Sequence, residues 1–216
     1  ETALVAGLVA GGVDVVRIGL GPTPMLYFAE ATLGVDAGIP VTGSHNPRDD
    51  NGLKMVLGHR SFYGADVVDL ARLAATGAWS EGTGSVTHHD VLPAYVARLL
   101  AGYAGGAFRI GWDCGNGAAG PAVERLVAQL PGEHHLLHTI VDGRFPNHHP
   151  DPTEEANLAD LKVLVREKGL NFGIAFDGDG DRIGAVDGRG RVLWGDQLLA
   201  LLIAPVLAAC PGATDR

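Results

Sequence analysis

The amino-acid sequence predicts an α/β protein with two consecutive βα-type units, in which mixed, mainly parallel sheets are flanked by helices. Short apolar runs, typical of buried strands, alternate with stretches in which apolar residues recur every three or four positions, as in helices. The composition is that of a globular protein, with 46% hydrophobic and 19% charged residues. A stretch rich in Gly, Ser and Thr from Thr76 to His89 predicts a linker, so the two units are expected to join near residue 90.

The first unit is predicted to contain three strands, each a short apolar run bounded by turn-forming residues. These strands are expected at Val15–Gly19, Gly38–Thr42 and Leu53–Leu57. Helical periodicity predicts one helix before these strands, one between the first two and one after the third, near residues 2–11, 22–34 and 64–75. The order of these elements favours strands that are connected through helices rather than a simple meander.

The second unit repeats this alternation with more strongly apolar strands. We expect strands at Phe108–Trp112, Leu136–Val141, Phe172–Phe176, Ile183–Val186 and Val192–Trp194. Helices are expected near residues 91–101, 121–130, 155–168 and 196–209. The apolar run from Leu198 to Cys210 is shorter than the roughly 20 residues that span a bilayer, and Pro205 interrupts it. The sequence therefore predicts a buried helix here and no membrane span.

Charge and cysteine content exclude several classes of function. Lys and Arg number 16 and Asp and Glu 25, so the net charge of −9 disfavours nucleic acid or an anionic membrane as a partner. The two cysteines, Cys114 and Cys210, do not make a disulfide framework, and no leader peptide is evident after Glu1. A cytoplasmic location is the expectation.

Three carboxylates at alternate positions form the first candidate site. Asp177, Asp179 and Asp181 follow a predicted buried strand, and the glycines between them allow a tight loop. Three crowded carboxylates repel one another unless a cation binds, and oxygen-only ligands favour Mg²⁺, Ca²⁺ or Mn²⁺. An EF-hand requires Gly at loop position 6 and Glu at position 12, which Arg182 and Gly188 do not supply. A solvated acidic turn is the alternative.

A polar loop supplies the second candidate site. Ser44 is followed by His45, Asn46 and Pro47, after a predicted strand that ends at Thr42. Ligands bind at the carboxyl ends of strands in open α/β sheets. Asn51-Gly52 predicts a turn, after which Lys54 returns along the next strand. A hydroxyl beside an imidazole and an ammonium suits phosphoryl transfer, whereas an ordinary polar turn is the alternative.

A glycine-rich turn is a candidate for another class of ligand. Gly115-Asn-Gly117-Ala-Ala-Gly120 matches the G-x-G-x-x-G pattern of dinucleotide-binding proteins, and Asp142 follows at the end of the next strand. Asp113 precedes the turn and would repel a pyrophosphate. Close packing of a helix on a sheet is therefore the favoured interpretation of these glycines.

The histidines and Cys114 raise the question of a zinc site or a nucleophile. The sequence contains nine histidines, and no spacing among them and the cysteines completes a tetrahedral set. All histidines except His45 are expected on loop surfaces. Cys114 is expected to be a small buried residue.

Five segments together resemble the α-D-phosphohexomutases, most closely the bacterial phosphomannomutase/phosphoglucomutase branch. The similarity extends over essentially the whole chain and includes both candidate sites. The segments are Gly21–Pro24, Val41–Lys54, Asp113–Gly117, Phe145–Pro152 and Phe176–Arg182.

The resemblance implies a fragment of a four-domain protein. It predicts the rear of domain 1 in residues 1–90, domain 2 in residues 91–191 and the start of domain 3 in residues 192–216. Domain 4 and the rest of domain 3 would be missing partners of the same chain. Both chain ends are expected to be cut, because Glu1 opens directly onto a helical pattern and an apolar helix closes the sequence.

The resemblance also implies roles for individual residues. Ser44 would carry the phosphoryl group, and Mg²⁺ would be held by Asp177, Asp179, Asp181 and a phosphate oxygen on Ser44. His45, Lys54 and Arg182 match positions near the reacting oxygens.

The implied activity is a reversible 1,6-phosphoryl transfer on hexose phosphates through a hexose 1,6-bisphosphate, with mannose and/or glucose phosphate as substrate. The fragment alone is expected to be inactive. Three alternatives stay open: a phosphoglucosamine mutase, a dinucleotide-dependent oxidoreductase that uses Gly115–Gly120, and a non-enzymatic metal-binding module.

Overall fold

The computed structural model of the protein describes residues 1–44, 46 and 49–209. The chain divides into two compact units, an N-terminal unit over Glu1–Tyr103 and a C-terminal unit over Ala104–Arg216. Both contain helices and strands, which confirms the predicted α/β class with mixed sheets.

The N-terminal unit combines four helices with seven short strands among the described residues. The helices are α1 (Thr2–Ala10), α2 (Thr23–Thr32), α3 (Ala65–Thr76) and α4 (Leu92–Ala101). The strands are β1 (Val15–Arg17), β2 (Ala37–Gly38), β3 (Val41–Thr42), β4 (Gly52–Leu53), β5 (Val56–Leu57), β6 (Arg60–Ser61) and β7 (Val86–His88). A small core forms where Met25 and Ala29 of α2 pack with Val91.

Three separate pairings organise these strands. β1 and β7 are parallel, β2, β5 and β6 form an antiparallel sheet, and β3 and β4 form a hairpin. The predicted strand Gly38–Thr42 is therefore two strands in different sheets. Pro40 lies between them and has no N–H to donate, which interrupts a continuous ladder.

Part of the predicted linker is a strand. Val86–His88 lies within Thr76–His89 and pairs in parallel with Val15–Arg17. Its hydrogen-bond partners are about seventy positions earlier in the chain. No local sequence pattern predicts such a distant pairing, and the Gly-rich composition around this strand favours a loop.

The C-terminal unit is built on one five-stranded sheet. Its strands are β8 (Phe108–Asp113), β9 (Gly132–Leu137), β10 (Phe172–Phe176), β11 (Ile183–Asp187) and β12 (Val192–Leu193), in the order β12-β11-β10-β8-β9. Its helices are α5 (Gly120–Val127), a 3₁₀ turn over Glu155–Leu158, α6 (Ala159–Lys168) and α7 (Gly195–Ala209). β9, β8 and β10 are mutually parallel, whereas β11 and β12 are antiparallel to their neighbours.

Helices cover both faces of this sheet. Ile110 and Trp112 of β8 pack with Val123 of α5 on one face. On the other face, Ala175 of β10 packs with Leu161 of α6. The two inner parallel strands, β8 and β10, are thus covered on both sides, which explains their largely apolar sequences. All three parallel strands end at the same edge of the sheet.

The strand predicted at Leu136–Val141 lies four residues earlier, at Gly132–Leu137. It ends because His138 adopts a left-handed conformation with φ of 53°. β9 is an edge strand, so its polar residues Glu133 and His135 face solvent or each other, and the local sequence lacks the apolar run of a central strand.

The terminal helix α7 differs from the prediction of a buried helix. None of its described residues is buried, and Leu199 and Leu201 are 63% and 64% exposed. Over the described residues, no helix is both long enough and apolar enough to cross a membrane.

Candidate functional site

The three candidate metal ligands lie in a hairpin loop between two fully paired strands of the C-terminal unit, β10 and β11. β10 and β11 pair along their whole lengths, and the last pair is Phe176 with Ile183. The loop that joins them is residues 177–182, which we call the acidic loop. Because β10 is flanked by β8 and β11, the loop begins from a fixed position in the sheet.

Asp177 organises the acidic loop from within. Its Oδ1 accepts hydrogen bonds from the backbone N–H groups of Asp181 and Arg182, each at 3.0 Å. Its carbonyl oxygen accepts the N–H of Gly180 at 3.1 Å. Asp177 is fully buried, so these bonds are shielded from water and fix the loop conformation.

The acidic loop brings the three carboxylates together. Asp177, Asp179 and Asp181 each offer an oxygen, and these oxygens lie within 4.8 Å of one another. Asp179 is only 4% exposed, whereas Asp181 faces solvent. Two buried carboxylates and one exposed carboxylate make an oxygen-only donor set that is open on one side. This set fits Mg²⁺, which keeps part of its coordination shell for water or substrate phosphate.

Arg182 is the last residue of the acidic loop. Its Nε lies 4.0 Å from Oδ1 of Asp181, and its side chain is 48% exposed. A guanidinium in this position carries positive charge at the rim of a carboxylate cluster, where phosphate oxygens would otherwise be repelled.

Ser44 lies at the tip of the β3–β4 hairpin of the N-terminal unit. It has φ of 52°, a left-handed conformation that is uncommon for residues other than Gly, Asn and Asp. Its N–H donates to Oγ1 of Thr42 at 2.8 Å, and the N–H of Asn46 donates to the carbonyl of Gly43 at 2.8 Å. Backbone strain of this kind is concentrated at functional sites.

Gly43 is required for the close return of this hairpin. A Cβ at this position would lie 2.6 Å from the carbonyl oxygen of Asp50. Lys54 follows β4, and its N–H donates to the carbonyl of Pro40 at 3.3 Å. The predicted strand Leu53–Leu57 is therefore two short strands in different sheets, and Lys54 lies between them rather than on a strand. Gly52, predicted to form a turn with Asn51, is the first residue of β4. His45 lies outside the described residues.

The predicted site residues thus belong to two groups. Ser44 and Lys54 belong to the N-terminal unit, and the three aspartates and Arg182 to the acidic loop of the C-terminal unit.

The glycine-rich turn Gly115–Gly120 lies beside the acidic loop. β8 and β10 are parallel neighbours, so the segments that follow them meet at the same edge of the sheet. The N–H of Ala118 donates to the carbonyl of Gly178 at 2.9 Å. A pyrophosphate bound at the N-terminus of α5 would need this N–H as a hydrogen-bond donor, but the N–H is already used by Gly178. The carboxylate of Asp142, which would bind the ribose, accepts hydrogen bonds from Nε of Arg144 instead. The geometry therefore disfavours a dinucleotide at this turn.

A buried ion pair supports the same edge of the sheet, and the sequence analysis missed it. Asp113 is fully buried and accepts hydrogen bonds from Nε2 of His148 at 3.0 and 3.2 Å and from the N–H of Gly115 at 2.9 Å. Nδ1 of His148 donates to the carbonyl of His149 at 3.0 Å. Because both ring nitrogens face oxygen acceptors, the arrangement favours the protonated imidazole, and the hydrogen bond to Asp113 raises the pKa of His148.

His138 and His148 correct the expectation that the histidines lie on loop surfaces. Their side chains are only 15% and 14% exposed. Together with Asp113 they form a second cluster of potential ligand atoms within 4.8 Å of one another. The engagement of both nitrogens of His148 favours an ion pair. The sequence signals were the segments Asp113–Gly117 and Phe145–Pro152, both of which the resemblance had included.

Cys114 is a buried structural residue. Burial raises the pKa of its thiol to about 12, with a smaller contribution from the charge of Asp113. A thiol that stays protonated at neutral pH is a poor nucleophile. This agrees with the prediction from the sequence.

Two family models match the chain in succession. The phosphoglucomutase/phosphomannomutase α/β/α domain I matches residues 1–87, and the α/β/α domain II of the same family matches residues 93–190. The chain belongs to the phosphoglucomutase/phosphomannomutase family. The second match contains the glycine-rich turn, the Asp113–His148 pair and the acidic loop, and the first contains the Ser44 hairpin.

Individual relatives agree with this assignment. The chain is 40% identical over 211 residues to a phosphomannomutase/phosphoglucomutase of Pseudomonas putida, covering 97% of this chain and 46% of the relative. It is 38% identical over 210 residues to a phosphoglucomutase of Neisseria gonorrhoeae, covering 96% and 46%. It is 39% identical over 228 residues to a phosphomannomutase of Salmonella typhimurium, covering 99% and 50%.

A solved structure agrees as well. A phosphoglucomutase/phosphomannomutase family protein from Burkholderia thailandensis superimposes with a TM-score of 0.90 at 42% identity, covering 98% of this chain and 48% of that chain. The chain spans about half the length of the curated relatives it matches.

Proposed function

We propose that this chain is part of a phosphohexomutase, an isomerase that moves a phosphoryl group reversibly between O1 and O6 of a hexose phosphate. The observation that carries the proposal is the cluster of three carboxylates in the acidic loop, in a family whose relatives are named for phosphomannose and phosphoglucose chemistry. Mannose phosphate and glucose phosphate are the proposed substrates.

The proposed reaction begins from a phosphorylated Ser44. The bond between Ser44 Oγ and phosphorus breaks, a bond forms from phosphorus to the free sugar hydroxyl, and the hydroxyl proton passes to Lys54 or His45. Ser44 Oγ leaves with the bonding electron pair and takes up a proton to become the free hydroxyl. The product is the hexose 1,6-bisphosphate, which returns its other phosphoryl group to Ser44 in the reverse sense. Such transfers depend mainly on alignment and on stabilisation of negative charge.

Asp177, Asp179 and Asp181 are proposed to hold Mg²⁺, together with a phosphate oxygen on Ser44. The ion supplies Lewis-acid stabilisation of the phosphoryl oxygens when it is bound. The buried positions of Asp177 and Asp179 favour a preformed site, since their carboxylates are held in place before an ion arrives. Arg182, at the exposed rim, is proposed to offset charge on the transferred group.

A phosphoglucosamine mutase is the alternative within the same chemistry. Residues 1–216 would supply the phosphoryl carrier and the metal ligands, whereas the loop that distinguishes one sugar from another is proposed to lie in domain 3 and the loop that binds the distal phosphate in domain 4. For the same reason, we propose that the 216-residue chain alone has no detectable mutase activity. A cytoplasmic location is proposed because the two cysteines of the sequence do not make a disulfide framework.

Mass spectrometry of the purified full-length protein tests the proposal. We expect a phosphopeptide in which the modified residue is Ser44. We also expect the phosphoryl group on Ser44 to be lost when the protein is incubated with hexose phosphate. A protein that stays unmodified at Ser44 after incubation with hexose 1,6-bisphosphate and Mg²⁺ would contradict the phosphoserine mechanism. A coupled assay of residues 1–216 alone, with the bisphosphate supplied, tests the proposed inactivity.

A further inference from the structure

The glycine-rich turn touches the acidic loop at the residue between two of its carboxylates. The N–H of Ala118 donates to the carbonyl of Gly178 at 2.9 Å. Gly117 lies against the same peptide: a Cβ there would be 2.7 Å from the carbonyl oxygen of Gly178, 3.0 Å from its Cα and 3.1 Å from the carbonyl oxygen of Asp177. Real Cβ atoms essentially never approach backbone this closely, so the loop can occupy its position only because residue 117 is glycine.

The turn itself is anchored independently of the acidic loop. Asn116 is 5% exposed and has φ of 57°. Its N–H donates to the carbonyl of His138 at 2.8 Å, its Nδ2 donates to the carbonyl of Ile140 at 2.8 Å, and its Oδ1 accepts from Nδ2 of Asn147 at 2.7 Å. The turn is thus fixed to the segment that follows β9, and it provides a rigid support.

A displacement of Gly178 would be transmitted to the metal ligands. Gly178 is bonded on one side to Asp177 and on the other to Asp179, which are 0% and 4% exposed. Buried side chains of this kind have little freedom to rotate back after a backbone shift, because their surroundings are close-packed. A shift of a few tenths of an ångström at Gly178 would therefore change the separation of two of the three oxygens.

We propose that Gly117 is a positioning residue for the Mg²⁺ site: by lacking a side chain, it allows the glycine-rich turn to set the positions of Asp177 and Asp179. This role rests on the proposed function of the acidic loop. It assigns the G-x-G-x-x-G segment to the support of a metal loop instead of the binding of a dinucleotide.

The test compares two substitutions of glycine by alanine in the full-length protein. Gly117→Ala is expected to raise the Kd for Mg²⁺, measured by isothermal titration calorimetry, by about tenfold or more, the range typical of residues that orient metal ligands. Gly143→Ala is the matched control, since a Cβ at Gly143 has no atom within 4 Å. Its Kd should stay within about twofold of the wild-type value.

A second measurement separates positioning from general damage. Turnover of Gly117→Ala should require more Mg²⁺ and recover at high Mg²⁺, whereas a misfolded protein would not recover. If Gly117→Ala does not fold by circular dichroism, Asn116→Gly decides the matter: it keeps the left-handed backbone and removes the side-chain anchors, and a raised Kd is expected.

Unchanged Mg²⁺ affinity in folded Gly117→Ala, or in Asn116→Gly if the first variant does not fold, would overturn the positioning role and leave the proposed metal site intact. Failure of the wild-type protein to bind Mg²⁺ would overturn both.

Discussion

The acidic loop and the Ser44 hairpin are both strand-to-strand loops, yet they are built in opposite ways. The acidic loop joins two fully paired five-residue strands inside a five-stranded sheet, and two of its carboxylates are buried. The loop at the tip of the Ser44 hairpin joins two strands of two residues each, and among the described residues these strands pair only with each other. The acidic loop is held by a sheet with helices packed on both faces. The Ser44 hairpin is held by local hydrogen bonds, and its chain can turn closely because Gly43 has no side chain.

Under the proposed function, the two loops would place different demands on the structure. Carboxylates that share a cation must stay close despite their mutual repulsion, so rigid burial is needed. A serine that exchanges a phosphoryl group with a substrate must be accessible, and accessibility limits how much core can support it. The left-handed conformation of Ser44 fits such a site, where backbone strain orients one side chain.

The largest expected effect comes from removing the hydroxyl of Ser44. Ser44→Ala in the full-length protein should lower mutase turnover by at least about a thousandfold, or ~4 kcal/mol, because no other residue is proposed to carry the phosphoryl group. Its free energy of unfolding should change by less than about 0.5 kcal/mol, as is usual for surface substitutions. A coupled assay and chemical denaturation measure the two quantities.

Ser61→Ala in the exposed strand β6 is the control for Ser44→Ala. It should retain wild-type turnover. Near-normal turnover of Ser44→Ala with a bisphosphate activator present would contradict the proposed role of this hairpin.

The second prediction concerns the buried carboxylates of the acidic loop, which are proposed to bind Mg²⁺. Asp177→Asn should raise the Kd for Mg²⁺ by at least about tenfold, or ~1.4 kcal/mol, since one ligand charge is lost. Stability without metal should hold or rise: the amide oxygen can still accept the N–H groups of Asp181 and Arg182, and carboxylate repulsion falls. Asp179→Asn and Asp181→Asn should also weaken Mg²⁺ binding.

Asp187→Asn is the matched control for Asp177→Asn. Asp187 lies at the other end of β11, and its Oδ1 likewise accepts two backbone N–H groups, from Arg189 and Arg191 at 2.9 Å each. Its substitution should leave Mg²⁺ affinity unchanged. Equal Mg²⁺ affinities for the wild type and all three acidic-loop variants would show that the acidic loop is not a metal site.

The third prediction concerns the buried ion pair that supports the acidic-loop edge. The pKa of His148 is raised in the folded protein, so the stability that its charge provides is fully present below the unfolded pKa of about 6.5 and is lost as pH rises through the folded value. His148→Gln should cost about 2 kcal/mol at pH 6, the scale of a hydrogen bond to a charged group. The difference from wild type should shrink as pH increases.

Thermal unfolding of the wild type and His148→Gln between pH 5.5 and 9 measures this dependence. His149→Gln, a change at the neighbouring exposed histidine, is the control and should show no comparable trend. A stability difference that is constant over this range would mean that His148 acts as a neutral hydrogen-bonding group.

The smallest expected effect lies on the surface. Backbone and side-chain hydrogen bonds from Arg191 lower the pKa of Asp187 to about 2. A carboxylate with a lowered pKa contributes stability above its unfolded pKa of about 3.9, and this contribution is lost as pH falls through the folded value. The melting temperature of Asp187→Asn should lie slightly below that of the wild type near pH 6, and the difference should vanish near pH 2.

Asp69→Asn, which breaks an exposed ion pair with Arg72 on α3, is the control for Asp187→Asn. It should have a weaker effect at pH 6, because exposed pairs within a helix contribute little. A difference for Asp187→Asn that persists at pH 2 would contradict the role of its charge.

The sequence by itself determined the α/β class, the inner strands of the five-stranded sheet and the acidic loop. β8, β10 and β11 were predictable because inner strands of a sheet that is covered on both faces are largely apolar. Asp177, Asp179 and Asp181 were predictable as a group since they lie at alternate positions in one short segment. The loop with Ser44 was predictable as well, whereas the strands beside it are shorter than predicted and Lys54 lies on neither.

Only the tertiary structure decided the features that depend on distant partners. β7 forms because β1 supplies its hydrogen bonds, and β9 is polar because it lies at an edge. The pair of Asp113 with His148 and the contact of Gly117 with Gly178 join segments far apart in sequence. Local patterns report burial and periodicity, whereas such contacts are fixed by which strands become neighbours. That is why the G-x-G-x-x-G segment resembled a nucleotide site in sequence and supports the acidic loop in the fold.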